Sequence, residues 1–327
     1  MSNLSRSLRY LARRLSQSVL TILFIAVVNF CLVQMAPGDA ADVLAGEAGG
    51  ATPEYMQQVR KSFGLDQPMP VQFAIYVKHV LTFDLGYSFR NGASVRDLIL
   101  QRMGPTLLLM GTTFLLSISA GLVLGVMASS HVNTWKDAAI SIMALLSYAT
   151  PLFWAGLMFI SIFALKLGWV PTGGMEKIED FNEGWSRVLD VAHHLVLPAI
   201  TLSLFYMAVY VRLIRAGMLD QMKLDYVVTA RAKGLTESHI RLRHMLRNAS
   251  LPMVTMAGVQ VGAMLGGSIV VETVFGWPGM GLLAFQALSA RDLNLLLGIF
   301  LISACLVVVV NAVVDVIYFA LDPRIRA

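Results

Sequence analysis

The charged residues best placed to bind another molecule form one basic strip, Asp225 to Pro252, between two long apolar runs. Arg231 and Lys233 can form ion pairs with carboxylates. Alanine, threonine and glycine stand beside them, and such small side chains let a helix lie close to another protein. The strip therefore predicts ion pairing and close packing against a partner.

Residues for catalysis or nucleotide hydrolysis are missing from the sequence. It has no GK dipeptide, and hence no phosphate-binding loop of the form GxxxxGK[ST]. Neither HExxH nor GxSxG occurs. His193 and His194 are adjacent, in what we expect to be a loop without an acidic partner at ligand spacing. We expect no enzyme, metal site or cofactor on this chain. If the protein moves a solute uphill, the energy must therefore come from another polypeptide.

The composition is that of an integral membrane protein, with 14% charged residues against about 25% in a soluble domain. A bilayer core about 30 Å thick needs roughly 20 apolar residues in a helix. Uncharged runs of this size predict an all-α fold with six transmembrane helices: Leu15 to Ala36, Pro105 to Ser130, Ala138 to Leu165, Leu195 to Val211, Leu251 to Val271 and Leu293 to Val314. The first run could instead be a signal peptide, but it is longer than an ordinary signal core and Pro37 follows it.

The basic residues predict the orientation of the chain. Segments 1–14, 131–137, 212–250 and 322–327 hold 15 of the 25 lysines and arginines, and loops rich in these residues stay in the cytoplasm. We therefore expect both termini inside, a first span over residues 15–36, an external loop over 37–104, a membrane domain over 105–321 and a cytoplasmic loop over 212–250. Membrane orientation therefore explains the net charge of +5, and no nucleic-acid partner is expected.

Local signals add short helices and packing faces. In the external loop, Thr52 and Gly64 bound one predicted helix, and Ser94 to Asp97 forms a capping box that opens another. This loop is either a packing element or a docking surface for an external partner. Pro151 and Pro198 predict kinks. Glycines spaced four residues apart predict close helix packing: Gly121 and Gly125, then Gly258, Gly262 and Gly266.

Two helices are predicted in the basic strip. Asp225 can cap the first helix, which Gly234 can end by adopting a positive φ. Thr236 starts the second helix, on which an apolar stripe lies opposite a basic arc. The helices either lie on the anionic inner leaflet or dock against a partner, and the small residues of the first favour docking. The stripe comprises Leu242, Met245, Leu246 and Ala249.

The strip resembles the cytoplasmic coupling loop of ABC-importer permeases of the dipeptide, oligopeptide and nickel group, whose members read close to DYVxTARAKGL followed by RHxLRNxLLP. One departure is that Val228 and Thr229 occupy the first two positions of the wider family's Glu-Ala-Ala motif. Other segments match the group in order: APGD from Ala36, FGLDQPMPVQF from Phe63, DLGYSFR from Asp84, LVLPAITL from Leu195, ETVFGWPGMGLL from Glu272 and DPRIR from Asp322.

The resemblance implies a type I ABC-importer permease fold and the first of two homologous permease subunits. It implies a second permease subunit, two cytoplasmic ABC ATPases that hold ATP and Mg²⁺, an external solute-binding protein and a place in the bacterial cytoplasmic (inner) membrane. It assigns ATPase coupling to Asp225, Tyr226, Thr229, Ala230, Arg231, Ala232, Lys233 and Gly234. The external turn after the fifth span is expected either to line the path or to anchor at the membrane interface. The residues of this turn to which the expectation applies are Glu272, Phe275, Trp277, Pro278, Gly279 and Gly281.

The expected solute is a dipeptide or short oligopeptide, with nickel chelates, glutathione or another small solute as alternatives. No ionisable residue lies in the middle of a predicted span, which disfavours an ion-coupled transporter and leaves selectivity to the external binding protein. A passive channel is the alternative from another class. Replacing Ala230 by Trp is expected to uncouple transport while the protein still inserts.

Overall fold

The computed structural model describes residues 3–35, 67–88, 90–177 and 183–321. The predicted helix between Thr52 and Gly64, the APGD and DPRIR segments and the start of FGLDQP lie outside the described residues. The described residues are mostly helical, as the sequence predicts, and they include a small two-stranded hairpin.

The described elements are helices of very different length and one short hairpin. Two π-helical segments, Ile160–Lys166 and Ile240–Met245, directly continue the helices before them. In chain order the elements are α1 (Asn3–Met35), α2 (Met69–Leu81), β1 (Tyr87–Ser88), β2 (Ala93–Ser94), α3 (Val95–Ser130), α4 (Trp135–Ala149), α5 (Leu152–Phe159), α6 (Gly184–Gln221), α7 (Asp225–Ala232), α8 (Glu237–His239), α9 (Leu246–Ala249), α10 (Leu251–Phe275), α11 (Met280–Ala290) and α12 (Leu293–Leu321).

Four helices in the described part of the chain are long and apolar enough to cross a bilayer: α3, α6, α10 and residues 293–313 of α12. The predicted third span is broken, because α4 and the segment Leu152–Lys166 meet at 107°. Pro151 lies at this break and precedes α5, as expected of a residue that cannot continue a helix. In α1 the apolar stretch Val19–Leu32 is shorter than a full span. The described helices thus account for four or five of the six predicted spans.

The fourth predicted span is too short, since α6 has 38 residues and continues into both predicted loops. Charged residues near its ends interrupt the uncharged run, although they are part of the helix. His193 and His194 therefore lie on α6 and not in a loop. The expectation that they have no acidic partner is also wrong, because His194 Nδ1 is 3.3 Å from Asp190 Oδ1. Pro198 lies inside α6, which continues through it.

The chain divides into two compact units. The first comprises the residues up to Met103 and Leu283–Val309. In it, Ser88 Oγ donates to Asp292 Oδ2 at 2.5 Å, and Asp292 Oδ1 accepts from the Leu295 backbone N–H at 3.0 Å. Asp292 thereby caps α12 and ties it to the hairpin. The predicted cap at Ser94 is confirmed, because its Oγ accepts from the Asp97 N–H at 3.2 Å.

The second unit comprises Gly104–Leu282 and Val310 onward, and in it α3 packs closely on α6. Gly121 faces Tyr210, and a Cβ added at Gly125 would lie 2.7 Å from the Ile214 Cβ. The predicted glycine packing in the second span is therefore confirmed.

The glycine stripe predicted on the fifth span behaves differently. An added Cβ at Gly266 meets nothing within 4 Å in the described structure, and Gly258 and Gly262 are half-buried. α10 buries another face, which includes Met253, Ala257, Gln260 and Met264. Gly266 therefore makes no close helix contact within the described part of this chain.

Candidate functional site

The basic loop, residues 222–250 between α6 and α10, contains the predicted coupling residues. Its first helix, α7, begins one residue earlier than predicted for a cap at Asp225. The Val227 N–H donates to the Leu224 carbonyl at 3.0 Å, so Leu224 is the N-cap and Asp225 is the first helical residue. Asp225 makes no side-chain cap, but an acidic residue in the first turn complements the positive end of the helix dipole.

The end of α7 agrees with the prediction. Gly234 has φ +75°, a conformation that glycine adopts without a Cβ penalty. Its N–H donates to the Arg231 carbonyl at 2.9 Å, and the Leu235 N–H donates to the Ala230 carbonyl at 3.3 Å. This pair of bonds is a Schellman motif, which satisfies the last carbonyls of the helix.

The two faces of α7 have different surroundings. Val227 and Ala230 are buried, with Ala230 only 7% exposed. They pack in an apolar cluster that includes Ile214 and Met218 of α6. Val228 is 59% exposed, and Thr229, Arg231, Ala232 and Lys233 are exposed as well. Ala230 therefore does not lie on the exposed face of α7: at a spacing of three residues, Val227 and Ala230 share the face that holds α7 to its own chain.

Arg231 is engaged within the loop. Its Nε lies 2.6 Å from Glu237 Oε1 and its Nη2 lies 3.3 Å from Glu237 Oε2. The hydrogen bond from Arg231 is the main cause that holds the pKa of the exposed Glu237 below its usual value. We predicted that Arg231 would pair with acids of a partner, whereas its guanidinium joins α7 to the next helix.

The second loop helix, residues 237–249, starts where the sequence predicts. Thr236 Oγ1 accepts from the His239 N–H at 3.4 Å. The apolar stripe on this helix differs from the predicted one, because Leu242 is 57% exposed while Ile240, Met245 and Ala249 are buried. Residues 240–245 are π-helical, and a π-helix brings residues five apart onto one face. Ile240 therefore takes the place in the stripe that we assigned to Leu242.

The basic loop is held firmly to α6. A Cβ added at Gly217 would lie 2.9 Å from the Ala249 carbonyl oxygen, so α6 and α9 touch backbone to backbone. Tyr226 Oη donates to Gln221 Oε1 at 2.7 Å, which fixes the connection between α6 and α7. A displacement of α7 must therefore also displace the end of α6.

The α10–α11 turn, residues 272–282, holds the residues expected to line a path or to anchor at the membrane interface. Glu272 is fully buried at the end of α10. Its Oε2 accepts from the Gly281 and Leu282 backbone N–H groups at 2.6 and 3.0 Å, and its Oε1 accepts from Thr106 Oγ1 at 2.8 Å. Thr106 Oγ1 in turn accepts from the Met280 N–H at 2.7 Å. Glu272 and Thr106 therefore satisfy the first three N–H groups of α11, which have no partner inside that helix.

The other residues of the turn are packed around this carboxylate. Trp277 is fully buried, and its Nε1 donates to the Pro105 carbonyl at 2.9 Å. Gly279 lies against the Glu272 carboxylate, and a Cβ added at Gly281 would lie 2.6 Å from the Ile269 Cα. Phe275 is also buried, and Pro278 is half-buried. The structure thus brings these residues together as an internal helix cap and not as an exposed lining.

Thr106, Asp137 and Arg215 are polar residues that the sequence analysis did not single out. Arg215 of α6 forms a two-pronged ion pair with Asp137 of α4, with Nε–Oδ1 2.7 Å and Nη2–Oδ2 2.8 Å. The residues are 78 positions apart, so no local spacing reveals them. Across the described ranges, no group of three or more His, Cys, Asp and Glu side chains could hold a metal ion.

Several long apolar helices and a polar loop packed against one of them define this chain as an integral membrane protein, and comparison with known proteins identifies the family. The profile described as "binding-protein-dependent transport system inner membrane component" matches residues 121–327. The profile for the N-terminal part of such membrane components matches residues 7–110. The chain belongs to this family and is a transmembrane permease of an ABC importer.

Relatives and solved structures agree with this assignment. A putative peptide permease protein of Brucella ovis is 37% identical over 321 residues, 98% of this chain and 99% of that protein. The glutathione transport system permease protein GsiC of Salmonella choleraesuis is 38% identical over 319 residues, again 98% and 99% of the two chains. The MetNI methionine ABC transporter, solved in inward-facing conformations, matches in fold with a TM-score of 0.56 and 16% identity over 69% of this chain and 96% of that chain.

Proposed function

We propose that this chain is the first of two related permease subunits in an ATP-driven importer of dipeptides or short oligopeptides. The peptide permease name of the Brucella relative supports the solute class. The GsiC relative supports glutathione as the alternative. Nickel chelates and other small solutes are further alternatives that the same machinery would serve.

The observation that carries the proposal is the division of α7 into two faces. One face is buried with Ile214 and Met218 of α6, and the other presents Val228, Thr229 and Ala232 to the exterior. A helix fixed in this way transmits force between an outside partner and the membrane helices. We assign the exposed face to an ATPase subunit, which binds ATP and Mg²⁺, since this sequence has no phosphate-binding loop.

The mechanism is a change between two states. ATP binding draws the ATPases together, and α7 moves with the subunit on which it docks. Because Ala249 contacts Gly217 and Val227 contacts the α6 cluster, α6 and α10 follow. ATP can drive this change only by binding one state better than the other.

The proposed assembly sets the remaining partners and the topology. A second permease completes the path, two ATPases lie in the cytoplasm, and an external solute-binding protein delivers the solute. We assign both termini and the basic loop to the cytoplasmic side of the bacterial inner membrane, in line with the basic residues. In this arrangement α1 is the first of six spans and the broken pair α4–α5 is the third.

The α10–α11 turn has a different proposed role from the one its sequence suggests. Because Glu272 and Trp277 are fully buried, we propose that the turn holds the start of α11 in place and supports the path without facing the solute. Selectivity then belongs to the binding protein and to exposed side chains elsewhere.

The decisive experiment is uptake by the purified assembly in proteoliposomes. Affinity purification through a tag on this chain should recover a second permease and the ATPases. With the binding protein and a labelled dipeptide outside, uptake should require ATP inside. A homo-oligomer that conducts the dipeptide without ATP would instead establish a passive channel.

A matched pair of substitutions tests the role of α7. Val228→Asp should abolish most ATP-driven uptake, because it places a charge in the proposed apolar contact with the ATPase. Leu242→Asp is the control, since Leu242 has nearly the same exposure, 57% against 59%, on the second loop helix. Equal uptake by the two variants would contradict docking through α7.

A further inference from the structure

The strongest unassigned feature is the ion pair between Asp137 of α4 and Arg215 of α6. Both guanidinium–carboxylate bonds are short, at 2.7 and 2.8 Å. The Asp137 side chain is only 7% exposed and that of Arg215 is 30% exposed. A two-pronged pair with this burial fixes the relative orientation of its partners more tightly than an exposed lysine–carboxylate pair would.

The carboxylate also shapes the turn that leads into α4. The Asn133 backbone N–H donates to Asp137 Oδ2 at 3.2 Å, and Asn133 adopts φ +59°, which is uncommon for a residue with a Cβ. Thr134 Oγ1 closes the same turn by donating to the His131 carbonyl at 2.6 Å. Asp137 therefore connects α6 both to α4 and to the turn between α3 and α4.

Arg215 lies at the level of α6 where the basic loop is attached. Its neighbour Ile214 packs with Val227 and Ala230 of α7, and Gly217 touches the backbone of Ala249. Any displacement of α7 reaches α6 at the turn of helix that carries Arg215. The ion pair is thus one polar connection from the basic loop, through α6, to α4.

The element on the far side of the pair is the broken span. α4 also packs on α6 through Ala144, which contacts a cluster with Met207 and Val211. This apolar contact lies about two turns along α4 from Asp137. The two attachments help to set the angle of α4, and α4 leads directly into the 107° bend before α5.

We propose that Asp137 and Arg215 form a positioning pair that passes the movement of α7 to the α4–α5 pair, so that ATP hydrolysis and transport stay coupled. This inference rests on the proposed function. Without the pair, α7 still docks and ATP is still hydrolysed, but α4 follows α6 less closely, because only its other contacts with α6 remain, and less solute is moved per ATP.

The test uses the whole importer in proteoliposomes, with dipeptide uptake and phosphate release measured on the same sample. Asp137→Asn keeps the shape of the side chain and removes its charge. Arg215→Lys keeps the charge and removes the two-pronged geometry, and it decides the question where the first variant does not assemble. Each should lower the uptake per ATP hydrolysed by about fivefold, the low end of typical coupling, at equal amounts of assembled complex.

The chain supplies a matched control. Arg187 and Glu176 form another two-pronged pair, at 2.6 and 3.3 Å, far from the basic loop in sequence. Glu176→Gln should leave the uptake per ATP unchanged. If Asp137→Asn and Arg215→Lys also leave the ratio unchanged, the pair has only a structural role and the inference is overturned. If the unmodified importer takes up no dipeptide with ATP, it is the proposed function that fails.

Discussion

The basic loop and the α10–α11 turn lie at the two ends of the same helix, α10, yet they have opposite surroundings. In the basic loop, one face of α7 is buried and the other is exposed. In the turn, Glu272, Trp277 and Gly281 are all buried. The first region therefore presents an exposed surface to a partner, whereas the polar groups of the second form hydrogen bonds that cap α11.

The two regions require glycine for different physical reasons. Gly234 meets nothing within 4 Å but has φ +75°, so its backbone conformation is what requires glycine. A Cβ at Gly281 would meet Ile269 and the Glu272 carboxylate, so space is what requires it. A glycine in an open turn ends a helix, and a glycine in a filled turn brings two elements into contact.

The largest effect is expected at Glu272. Glu272→Ala should lower the free energy of unfolding by about 3 kcal/mol or more, because buried N–H groups at the start of α11 lose their acceptor. Glu272→Gln should cost less, since its amide keeps one acceptor oxygen. Thermal unfolding of the purified permease measures both. As a control, Glu237→Gln in the basic loop should change stability little, because that carboxylate is exposed. Equal losses of stability in the Glu272→Gln and Glu237→Gln variants would contradict the difference in burial between the two regions.

Gly281→Ala should be the next most damaging change. The new methyl group would come within 2.6 Å of Ile269 and 2.8 Å of Glu272, and over-packing of this kind costs about 2 kcal/mol. The same substitution at Gly234 should cost about 1 kcal/mol, since only the left-handed backbone is strained. Thermal unfolding of both alanine variants would show whether space or backbone conformation matters more, and a larger loss at Gly234 would reverse our account.

Replacing Ala230 by Trp should have a smaller effect, confined to the basic loop. The indole cannot fit against Ile214 and Met218, and we expect a cost of about 1 kcal/mol because α7 is short and can shift. Limited proteolysis after Arg231 or Lys233 should become faster. Val228→Trp, on the exposed face, should leave cleavage unchanged. Faster cleavage in the Val228 variant alone would mean that the two faces of α7 are reversed.

The smallest effect is expected from the exposed pair of Arg231 and Glu237. The pKa of Glu237 is lowered in the folded chain, so the pair stabilises the loop above the carboxyl's ordinary pKa, about 4.3, and this contribution is lost as the pH falls through the lowered value. An NMR titration of the Glu237 carboxyl carbon should give a midpoint below that of a free glutamate. Arg231→Gln should raise the midpoint; no change would show that the ion pair does not form in solution.

Local signals in the sequence predicted the parts of the fold that depend on neighbours in the chain. The apolar runs locate α3, α10 and α12, and Gly234 and Thr236 mark the correct ends of helices. The predicted burial of the second loop helix was partly wrong, because a π-helical segment is not visible in a pattern that assumes 3.6 residues per turn.

The long-range parts of the site could not be predicted in this way. Asp137 and Arg215 lie on different helices, and each by itself looks like an ordinary charge at a helix end. Glu272 stands near the end of an apolar run, where its sequence position suggests an exposed residue. Its burial follows from Thr106 and the start of α11, which meet it only in the folded chain.

The bend between α4 and α5 restricts what can surround it. α4 has 15 residues and is about 22 Å long, so on entering from one side it ends within a hydrocarbon layer about 30 Å thick. Backbone at such a break is tolerated only against protein or water. Lipid acyl chains therefore cannot satisfy the backbone at the α4–α5 break. A single copy of the chain in a bilayer needs another protein surface or water at this position.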